Sequence, residues 1–208
     1  MTDSDRRVRR RAAERAPEKT RERILAAGVA EFAEKGYNGA RVGAIAARAG
    51  VNVQLIAYYF GGKEGLYQEI NRVWQRDHGT PAVADMSFDQ VVSYFVQLNA
   101  RTPENARILA WRGLEGRADE GPEFTESMRE RVADLRRRQE RGELPRDLDA
   151  DCMLLAMFAA ASAGVVFPHL VKAICGQDAD SPEFTERYAA QLALLIRCLN
   201  SADTASEG

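Results

Sequence analysis

Cysteine and histidine are scarce in this sequence of 208 residues, which holds three Cys and two His. Cys152, Cys175 and Cys198 lie far apart and form no CxxC pair, and His78 and His169 also lie far apart in the sequence. This spacing is too sparse for a zinc site, and it favours buried thiols over disulfides. We therefore predict no metal, no cofactor and a reducing, cytoplasmic location.

Catalytic motifs are also missing. The sequence contains no GxSxG, no HExxH and no glycine-rich phosphate-binding loop, the patterns that mark many hydrolases, metallopeptidases and nucleotide-binding enzymes. No segment between turn signals alternates apolar and polar residues with the period of two that indicates a half-buried strand. We predict an all-α protein that is not an enzyme.

Charged side chains are absent from residues 152–171, a run as long as a membrane span. The run is rich in alanine and contains Pro168 and His169 near its end, which favours a helix buried inside a soluble protein or a dimer. No apolar stretch follows the basic start of the sequence, so we expect no secretory signal. We predict no membrane partner.

The charges that are present divide unevenly along the chain. Residues 1–63 carry thirteen Lys and Arg against seven Asp and Glu, a balance of +6, and residues 64–208 carry sixteen against twenty-four, a balance of −8. Five arginines lie within Arg6–Arg11, and they form either a solvated tail or an arm that contacts DNA phosphates or the minor groove. We expect only the amino-terminal third to meet a polyanion.

The stretch Gly39–Phe60 has the pattern of a helix-turn-helix. Gly50 can supply the positive φ of a tight turn between two helices, and Ala46 is small enough for the point where they cross. The residues expected on the buried side are Ile45, Ala49, Val51, Ile56 and Tyr59. Short alanine-rich helices with a glycine turn are common in helical proteins, so the spacing alone leaves DNA binding and simple packing equally open.

Further landmarks lie in register on both sides of this stretch. The full set is Ile24–Tyr37, Ile45–Ala46, Gly50–Val51, Tyr59–Phe60 and Lys63–Tyr67. Through these residues the sequence resembles the DNA-binding domain of tetracycline-repressor (TetR-like) transcriptional regulators. The resemblance implies an all-helical homodimer, usually a repressor, that a small ligand in the carboxy-terminal domain releases from its operator. The sequence departs from the family pattern at Ala40–Arg41, Gly43 and Ala57.

Several residues of this segment could contact DNA. Arg41 and Lys63 can each pair with a phosphate, Lys63 from the first turn of a helix, where backbone N–H groups also attract anions. Gln54 can hydrogen-bond a base edge, and apolar neighbours can touch a thymine methyl. The predicted DNA-binding set is Arg41, Asn52, Val53, Gln54, Leu55, Tyr58, Tyr59 and Lys63. We expect Tyr58 to project toward DNA and Tyr59 to be largely buried, although packing alone would also explain both.

Helix starts recur in the sequence as proline followed by glutamate. They are Pro17–Glu18, Pro103–Glu104, Pro122–Glu123 and Pro182–Glu183. Proline has no N–H to lose in a first turn, and the carboxylate stabilises the positive end of the helix dipole. Ser87 and Gln90 form a capping box for another helix. The predicted order is a basic flexible arm at 1–16, a three-helix helix-turn-helix DNA-binding domain at 17–62, a larger helical ligand-binding and dimerisation domain at 63–200 and a flexible tail at 201–208.

Two predicted helices, 149–175 and 181–200, carry more apolar surface than one short bundle would cover. Their small residues would let helices approach closely, so we expect them to pair with their two-fold copies in a four-helix interface. The predicted interface is Leu154, Leu155, Phe158, Val165, Phe184, Tyr188, Leu192, Leu195 and Leu199. Such a homodimer would set two DNA-reading helices about 34–36 Å apart, one turn of DNA.

The carboxy-terminal domain should also enclose a ligand cavity, for which the sequence gives few signals. The candidate lining is Trp74, Phe95, Asn99, Trp111, Arg112, Phe158, Phe167 and His169. For each of these residues, ordinary core packing is at least as good an explanation. We expect Pro168 to kink or end the helix there, which could open space for a ligand.

Together these patterns predict a ligand-responsive transcriptional regulator, a repressor, that binds double-stranded DNA as a homodimer and is released by a small-molecule effector. The alternative is a helical adaptor that binds another protein through the surface of residues 152–171 and does not read DNA sequence. A DNA-binding regulator would use the basic arm and Lys63, whereas an adaptor would need neither.

Overall fold

This computed structural model describes residues 3–78, 83, 85–117 and 121–206, and these residues form ten helices, with turns between them and no strand. The first four are α1 Asp3–Gly39, α2 Val42–Ala49, α3 Gln54–Phe60 and α4 Lys63–His78. The other six are α5 Phe88–Arg101, α6 Pro103–Leu114, α7 Gly121–Glu140, α8 Ala150–Val166, α9 Pro168–Cys175 and α10 Pro182–Ser206. The all-α prediction is confirmed.

The long first helix departs from the prediction at its start. The sequence predicts a flexible arm and a helix that begins at Pro17, whereas α1 begins at Asp3 and passes through this proline. The segment before Pro17 is rich in Arg and Ala, which are strong helix formers. The side chains of Arg6–Arg11 lie outside the described residues, so their contact with DNA stays a prediction. At the other end of the chain, α10 continues to Ser206, beyond the predicted start of a tail.

The apolar faces of α1 to α4 enclose the first of two cores. Its fully buried side chains include Ile24, Phe32, Ile45, Ile56 and Leu66. Gly50 joins α2 to α3 with a φ of 62°, and Ala46 is buried on α2. Val51 and Tyr59 are only partly buried against this core. The helix-turn-helix predicted from the sequence is therefore present, with two of its expected core residues at the edge.

The second core lies among α5, α7, α8 and α10. Helix α5 packs against both α8 and α10, and the buried side chains include Val92, Leu135, Met153, Ala189 and Ile196. Arg138 of α7 donates hydrogen bonds to the carboxylates of Asp134 and Glu143, each at 2.7 Å, and to the Met86 carbonyl at 2.8 Å. This buried guanidinium ties α7 to the loop that precedes α5 and to the loop that follows α7. The predicted capping box of Ser87 is present at the start of α5.

The helix predicted over 149–175 is divided at Pro168. Helices α8 and α9 meet there at 87°, because proline lacks the N–H that would continue the helix and its ring clashes with the preceding turn. Among the described residues, no single helix is long and apolar enough to cross a membrane, although α8 and α9 taken together reach the required length and composition.

All three cysteines are free, and none is fully buried. Cys152 and Cys198 are exposed and Cys175 is partly exposed, so the prediction of buried thiols is wrong. Each lies on an apolar stretch of sequence, but the outer sides of α8 and α10 are apolar as well as the inner sides. Apolar neighbours along the chain therefore did not indicate burial here.

Candidate nucleic-acid interface and ligand cavity

Helix α3, here called the reading helix, leaves a turn that glycine and asparagine build together. The carbonyls of Ala49 and Gly50 accept hydrogen bonds from the Arg23 guanidinium of α1. Asn52 then caps α3, since its Oδ1 accepts a hydrogen bond from the Gln54 N–H at 2.9 Å. These contacts fix the direction in which the reading helix leaves α2.

The outer face of the reading helix points into solvent. Val53 is 47% exposed and Tyr58 is 79% exposed, and Gln54 is exposed between them. Burial of Ile56 on the opposite face fixes the orientation of the helix. Packing does not explain a tyrosine this exposed. The three side chains offer an amide, methyl groups and a phenol hydroxyl to a partner, which are groups that can contact base edges and phosphates.

Three other residues of the predicted DNA-binding set also serve the fold. The side chain of Asn52 caps α3, and Leu55 and Tyr59 are partly buried against the first core. Tyr59 therefore lies between the core and the surface and is less buried than expected. Direct contact of these three residues with DNA stays a prediction.

Two cations of the predicted DNA-binding set lie at the starts of the helices before and after α3. Arg41 is exposed at the N-cap of α2, and its backbone N–H donates to the Glu31 carboxylate at 3.3 Å. Lys63 lies at the start of α4, with its ammonium 4.5 Å from the centroid of the Tyr37 ring. Burial lowers the pKa of Lys63, and the nearby Glu115 carboxylate opposes that change. Phosphate binding by either cation stays a prediction.

The end of α6 holds α1 through contacts that we call the α1–α6 clamp. The Glu115 carboxylate accepts hydrogen bonds from the backbone N–H groups of Tyr37 at 3.2 Å and Asn38 at 2.9 Å. Trp111 donates from Nε1 to the Ala33 carbonyl at 3.3 Å. Sequence reasoning missed the clamp, because its partners are far apart in the chain and a lone glutamate carries no motif.

Arg117 extends this connection to α4. Its guanidinium donates to the Glu64 carboxylate at 3.1 and 3.3 Å, and its Cζ lies 3.8 Å from the centroid of the Tyr37 ring. The segment that follows α6 is therefore joined to α1 and to α4. Both helices contribute to the core that supports the reading helix.

A cavity that opens to solvent lies among α4, α5, α6, α7 and α8. Five residues of the predicted lining border it: Trp74, Phe95, Asn99, Arg112 and Phe158. The Asn99 amide also donates to the Ala161 carbonyl of α8 at 3.0 Å. Helix α6 contributes Ile108 and Leu109 as well, so one helix both borders the cavity and ends in the clamp.

The other three residues of the predicted lining lie outside this cavity, which corrects the sequence prediction. Trp111 faces α1, because successive residues of a helix point in directions about 100° apart and its neighbour Arg112 takes the cavity side. Phe167 and His169 are exposed at the bend between α8 and α9, with ring centroids 6.5 Å apart. Because α8 ends at this bend, Phe167 and His169 lie beyond the part of α8 that borders the cavity.

The sequence analysis also missed part of the cavity wall. Phe124 and Arg131 border the cavity from α7, and Phe88 and Met157 border it from α5 and α8. Arg131 lies with its Cζ 5.2 Å from the centroid of the Phe95 ring. The sequence placed α7 correctly, but an arginine within a highly charged helix gave no sign that it faces inward.

Large apolar side chains of the last three helices lie in solvent, and we call them the outer apolar face. Leu155 of α8 is 71% exposed, Ile174 of α9 is 79% exposed and Leu195 of α10 is 59% exposed. Phe167, Leu170, Leu194 and Leu199 complete the group. Leu155, Leu195 and Leu199 belong to the predicted dimer interface, whereas the sequence did not single out the others for it.

The remaining residues of the predicted dimer interface are used within the chain. Phe184 and Leu192 are buried, the Tyr188 hydroxyl donates to the Ala160 carbonyl at 3.0 Å, and Val165 is partly buried. Leu154 and Phe158 border the cavity. Helical periodicity reveals an apolar stripe, but α8 and α10 each have two, and the sequence does not say which one faces the body of the same chain.

Comparison with known proteins defines the class to which this architecture belongs. Residues 24–70 match the model of the tetR family of bacterial regulatory proteins, and residues 90–194 match that of the tetracyclin repressor-like C-terminal domain. The chain belongs to the TetR family of bacterial regulatory proteins. The resemblance that the helix-turn-helix residues indicated is confirmed.

Among similar proteins, the HTH-type transcriptional repressor SCO4008 of Streptomyces coelicolor is 34% identical over 168 residues, which cover 79% of this chain and 88% of that protein. The HTH-type transcriptional repressor NicS of Pseudomonas putida is 31% identical over 105 residues, 47% of this chain and 50% of NicS. These relatives and the helix-turn-helix make the protein a DNA-binding transcriptional regulator.

Solved structures of the family share the fold. HlyIIR, a hemolysin II transcriptional regulator, gives a TM-score of 0.59 with 23% identity and covers 86% of this chain and 99% of its own. The TetR family protein CprB from S. coelicolor A3(2) gives a TM-score of 0.59 with 20% identity, over 85% of this chain and 97% of its own. The two-part architecture is therefore that of the family.

Proposed function

We propose that the protein is a repressor that binds a pseudo-palindromic operator as a homodimer and leaves it when a small molecule occupies the cavity. The observation that carries the proposal is the double role of α6. This helix borders the cavity through Ile108, Leu109 and Arg112, and its end holds α1 through Glu115. A ligand that shifts α6 therefore acts on the helix that supports the DNA-reading unit.

The exposed face of α3 supports the DNA-binding part of the proposal. The Gln54 amide reads a base edge in the major groove, Val53 contacts a thymine methyl, and Tyr58 contacts a phosphate or a base. Arg41 and Lys63 bind phosphates on either side and set the position of the helix along the groove. Since its operator is chromosomal DNA, such a regulator acts in the cytoplasm.

The outer apolar face supports the homodimer. Burying one leucine or isoleucine side chain stabilises an assembly by about 1.5–3 kcal/mol, and Leu155, Ile174 and Leu195 all lie largely in solvent in the single chain. A two-fold axis would bring the same side chains of both copies together. It would also hold two reading helices at a spacing of about 34–36 Å, which matches one turn of DNA.

Release of DNA follows from linkage between the two sites. A ligand changes the operator affinity only if it binds one arrangement of α6 and the clamp better than the other. A coupling free energy of about 1–3 kcal/mol, which is typical of such systems, lowers operator affinity about 5- to 150-fold. The cavity needs no contact with DNA for this effect.

Selection of bound sequences from random duplex DNA tests the proposal. The full chain should enrich a pseudo-palindrome whose half-sites lie about 10 base pairs apart, centre to centre. A variant with Gln54→Ala and Tyr58→Ala is the matched control, because both side chains are exposed and their removal should leave the fold intact. Enrichment of a single asymmetric half-site would contradict the homodimer, and absence of any enrichment would contradict operator binding.

A further inference from the structure

Arg117 lies where the carboxy-terminal body meets the DNA-reading unit. The turn that ends α6 fixes its backbone, since Gly116 has a φ of 63° and the Arg117 N–H donates to the Arg112 carbonyl at 3.0 Å. Its side chain extends to α4, where one guanidinium nitrogen donates to both carboxylate oxygens of Glu64, at 3.1 and 3.3 Å. A residue whose backbone is held by α6 thus contacts the start of α4, the helix that follows the reading helix.

Two cations share one aromatic ring beside this ion pair. The Cζ of Arg117 lies 3.8 Å and the ammonium of Lys63 lies 4.5 Å from the centroid of the Tyr37 ring, and the face of an aromatic ring attracts cations. Because both distances are measured to the same point, the two charges lie within about 10 Å of each other, the screening length in 0.1 M salt. The charge of Arg117 is therefore felt at Lys63, the predicted phosphate contact of α4.

Lys63 also lies among carboxylates. Those of Glu31, Glu64 and Glu115 act electrostatically on its ammonium. The Arg117 guanidinium acts on it with the opposite sign. Glu31 is buried, and Glu115 accepts hydrogen bonds from backbone N–H groups of α1. Glu64 is exposed and pairs with Arg117, so it is the carboxylate of this group that a DNA phosphate on Lys63 would approach through solvent.

The Glu64 carboxylate carries its negative charge at neutral pH. Burial acts to raise the pKa of Glu64, but hydrogen bonding with Tyr37 and the charge of Arg117 outweigh it and lower that pKa. An unneutralised carboxylate beside Lys63 would repel a phosphate, since like charges repel across a distance of this order. An exposed ion pair contributes little to folding stability. The pair of Arg117 and Glu64 should therefore matter more for the binding of a polyanion than for the fold.

We propose that Arg117 is a positioning residue for DNA binding, which neutralises Glu64 and so lets Lys63 bind a phosphate at the start of α4. The inference rests on the proposed function in one respect, the contact of Lys63 with phosphate. It adds a residue of the carboxy-terminal body to those that set DNA affinity, although Arg117 acts through Glu64 and not on DNA itself. A residue whose backbone is held by α6 then controls the charge beside the reading helix.

Neutral variants of both partners test the proposal, with a fluorescently labelled duplex of unrelated sequence and the full chain. At about 0.1 M salt, Arg117→Gln should weaken binding about three- to tenfold, because the Glu64 carboxylate then repels the phosphate. Glu64→Gln should strengthen binding about two- to fivefold, since Arg117 keeps its charge. The double variant should bind within about twofold of the parent, because the two changes cancel in charge.

The sign of the Glu64→Gln effect separates this role from a structural one. If the ion pair only held α4 in place, each single variant would break the same contact and weaken binding, and the double variant would be no better than either. Salt gives a second readout. The difference between Arg117→Gln and the parent should shrink as salt is raised, because the screening length falls from about 10 Å at 0.1 M to about 3 Å at 1 M. Arg117→Lys, which keeps the charge, should retain most of the parent affinity.

The ion pair of Arg129 and Glu126 is the matched control. It lies on the exposed side of α7 with a nitrogen–oxygen distance of 3.3 Å. Arg129→Gln and Glu126→Gln therefore change the net charge of the protein by the same amounts as the test variants, at a pair on another helix. Both should bind the duplex like the parent. Urea titration should show that every variant remains folded under the conditions of the assay.

The inference is overturned if Glu64→Gln weakens binding, if Arg117→Gln binds as tightly as the parent, or if the double variant is no better than Arg117→Gln. A protein that shows the expected signs with unrelated duplex but enriches no pseudo-palindrome would contradict the proposed function alone. One that enriches a pseudo-palindrome but binds more weakly after Glu64→Gln would contradict this inference alone. A parent protein that binds no duplex would overturn both.

Discussion

The two cores of this protein differ in how completely one chain covers them. In the core of α1 to α4, Ile24, Phe32 and Ile56 have no exposed surface. In the second core Leu135 and Ile196 are almost fully buried, yet α8 and α9 leave Leu155 and Ile174 largely in solvent. One chain therefore covers the core of the DNA-reading unit, whereas the carboxy-terminal body leaves large apolar side chains in solvent.

The exposed side chains of the two regions also differ in kind. On the reading helix, an exposed tyrosine and valine lie near Arg41, Gln54 and Lys63, a mixture that suits a polyanion with readable base edges. On the outer apolar face, aliphatic side chains dominate, which is typical of a protein-protein interface. An exposed apolar side chain thus favours contact with DNA where polar and cationic residues surround it. It favours contact with protein where other apolar side chains surround it.

The largest effect should come from charge on the outer apolar face. The double variant Leu155→Glu and Leu195→Glu should be monomeric by analytical ultracentrifugation, because burying these carboxylates in an interface is costly. Loss of two-site binding should lower operator affinity by a hundredfold or more, within the usual range of about 10²–10⁴ for linked sites. Leu114→Glu, another highly exposed leucine but on α6, is the control and should remain dimeric. A double variant that is still a dimer would place the interface elsewhere.

A cavity in the reading unit should be nearly as damaging. Ile56→Ala should lower the free energy of unfolding by about 2–5 kcal/mol. The Ile56 side chain is fully buried in the core of α1 to α4, so its truncation leaves a cavity there. Val53→Ala just before α3 should change stability by less than about 0.5 kcal/mol, since Val53 is 47% exposed and is not among the core residues. Urea titration of both variants measures the difference. Equal losses would mean that the two faces of α3 are not distinct.

The contrast between the two regions also explains how far the sequence could predict the structure. In the reading unit, the turn requires a positive φ that Gly50 supplies, and Ile45 and Ala49 lie four residues apart on one face of α2, so local rules specify the turn and the buried face. Pro168 likewise predicted the end of α8. These features depend on residues close together in the chain, and sequence reasoning located them correctly.

The cavity and the outer face depend on contacts between distant residues. Trp111 and Arg112 are neighbours in sequence, but one holds α1 and the other borders the cavity. Leu192 is buried, whereas Leu195 is exposed, on the same apolar helix. Composition and periodicity do not distinguish a residue that faces the core from one that faces the cavity or solvent. The packing of several helices decides which way each residue faces.

Base discrimination tests the exposed face of the reading helix directly. Gln54→Ala should reduce the preference for the operator over a mismatched site by about 1–3 kcal/mol, because a hydrogen bond to a base edge is lost. Binding to unrelated DNA should change little. Competition titrations of operator and mismatched duplexes measure this difference. Unchanged discrimination would remove Gln54 from the base-reading residues and leave Tyr58 as the candidate for base contact on the same helix.

A smaller effect is expected at the clamp between the two regions. Glu115→Gln replaces a charged acceptor of the Tyr37 and Asn38 N–H groups by a neutral one, which should cost about 1 kcal/mol of stability. Hydrogen exchange of these two amides should become faster, and an occupant of the cavity should change operator affinity less than in the parent. Glu186→Gln, an exposed glutamate of α10, is the control. Unchanged exchange would show that the clamp does not restrain α1.

The smallest effect should come from Lys63. Lys63→Ala should weaken binding to operator and unrelated DNA alike and reduce the slope of log affinity against log salt by about one, as the loss of one phosphate contact requires. Lys172→Ala, an exposed lysine of α9 paired with Asp178 at 2.8 Å, should leave the slope unchanged. The ammonium of Lys63 lies against the Tyr37 ring, so two outcomes are distinct. A lower salt slope assigns the cation to phosphate, whereas an unchanged slope with lower stability assigns it to the ring and removes it from the DNA-binding set.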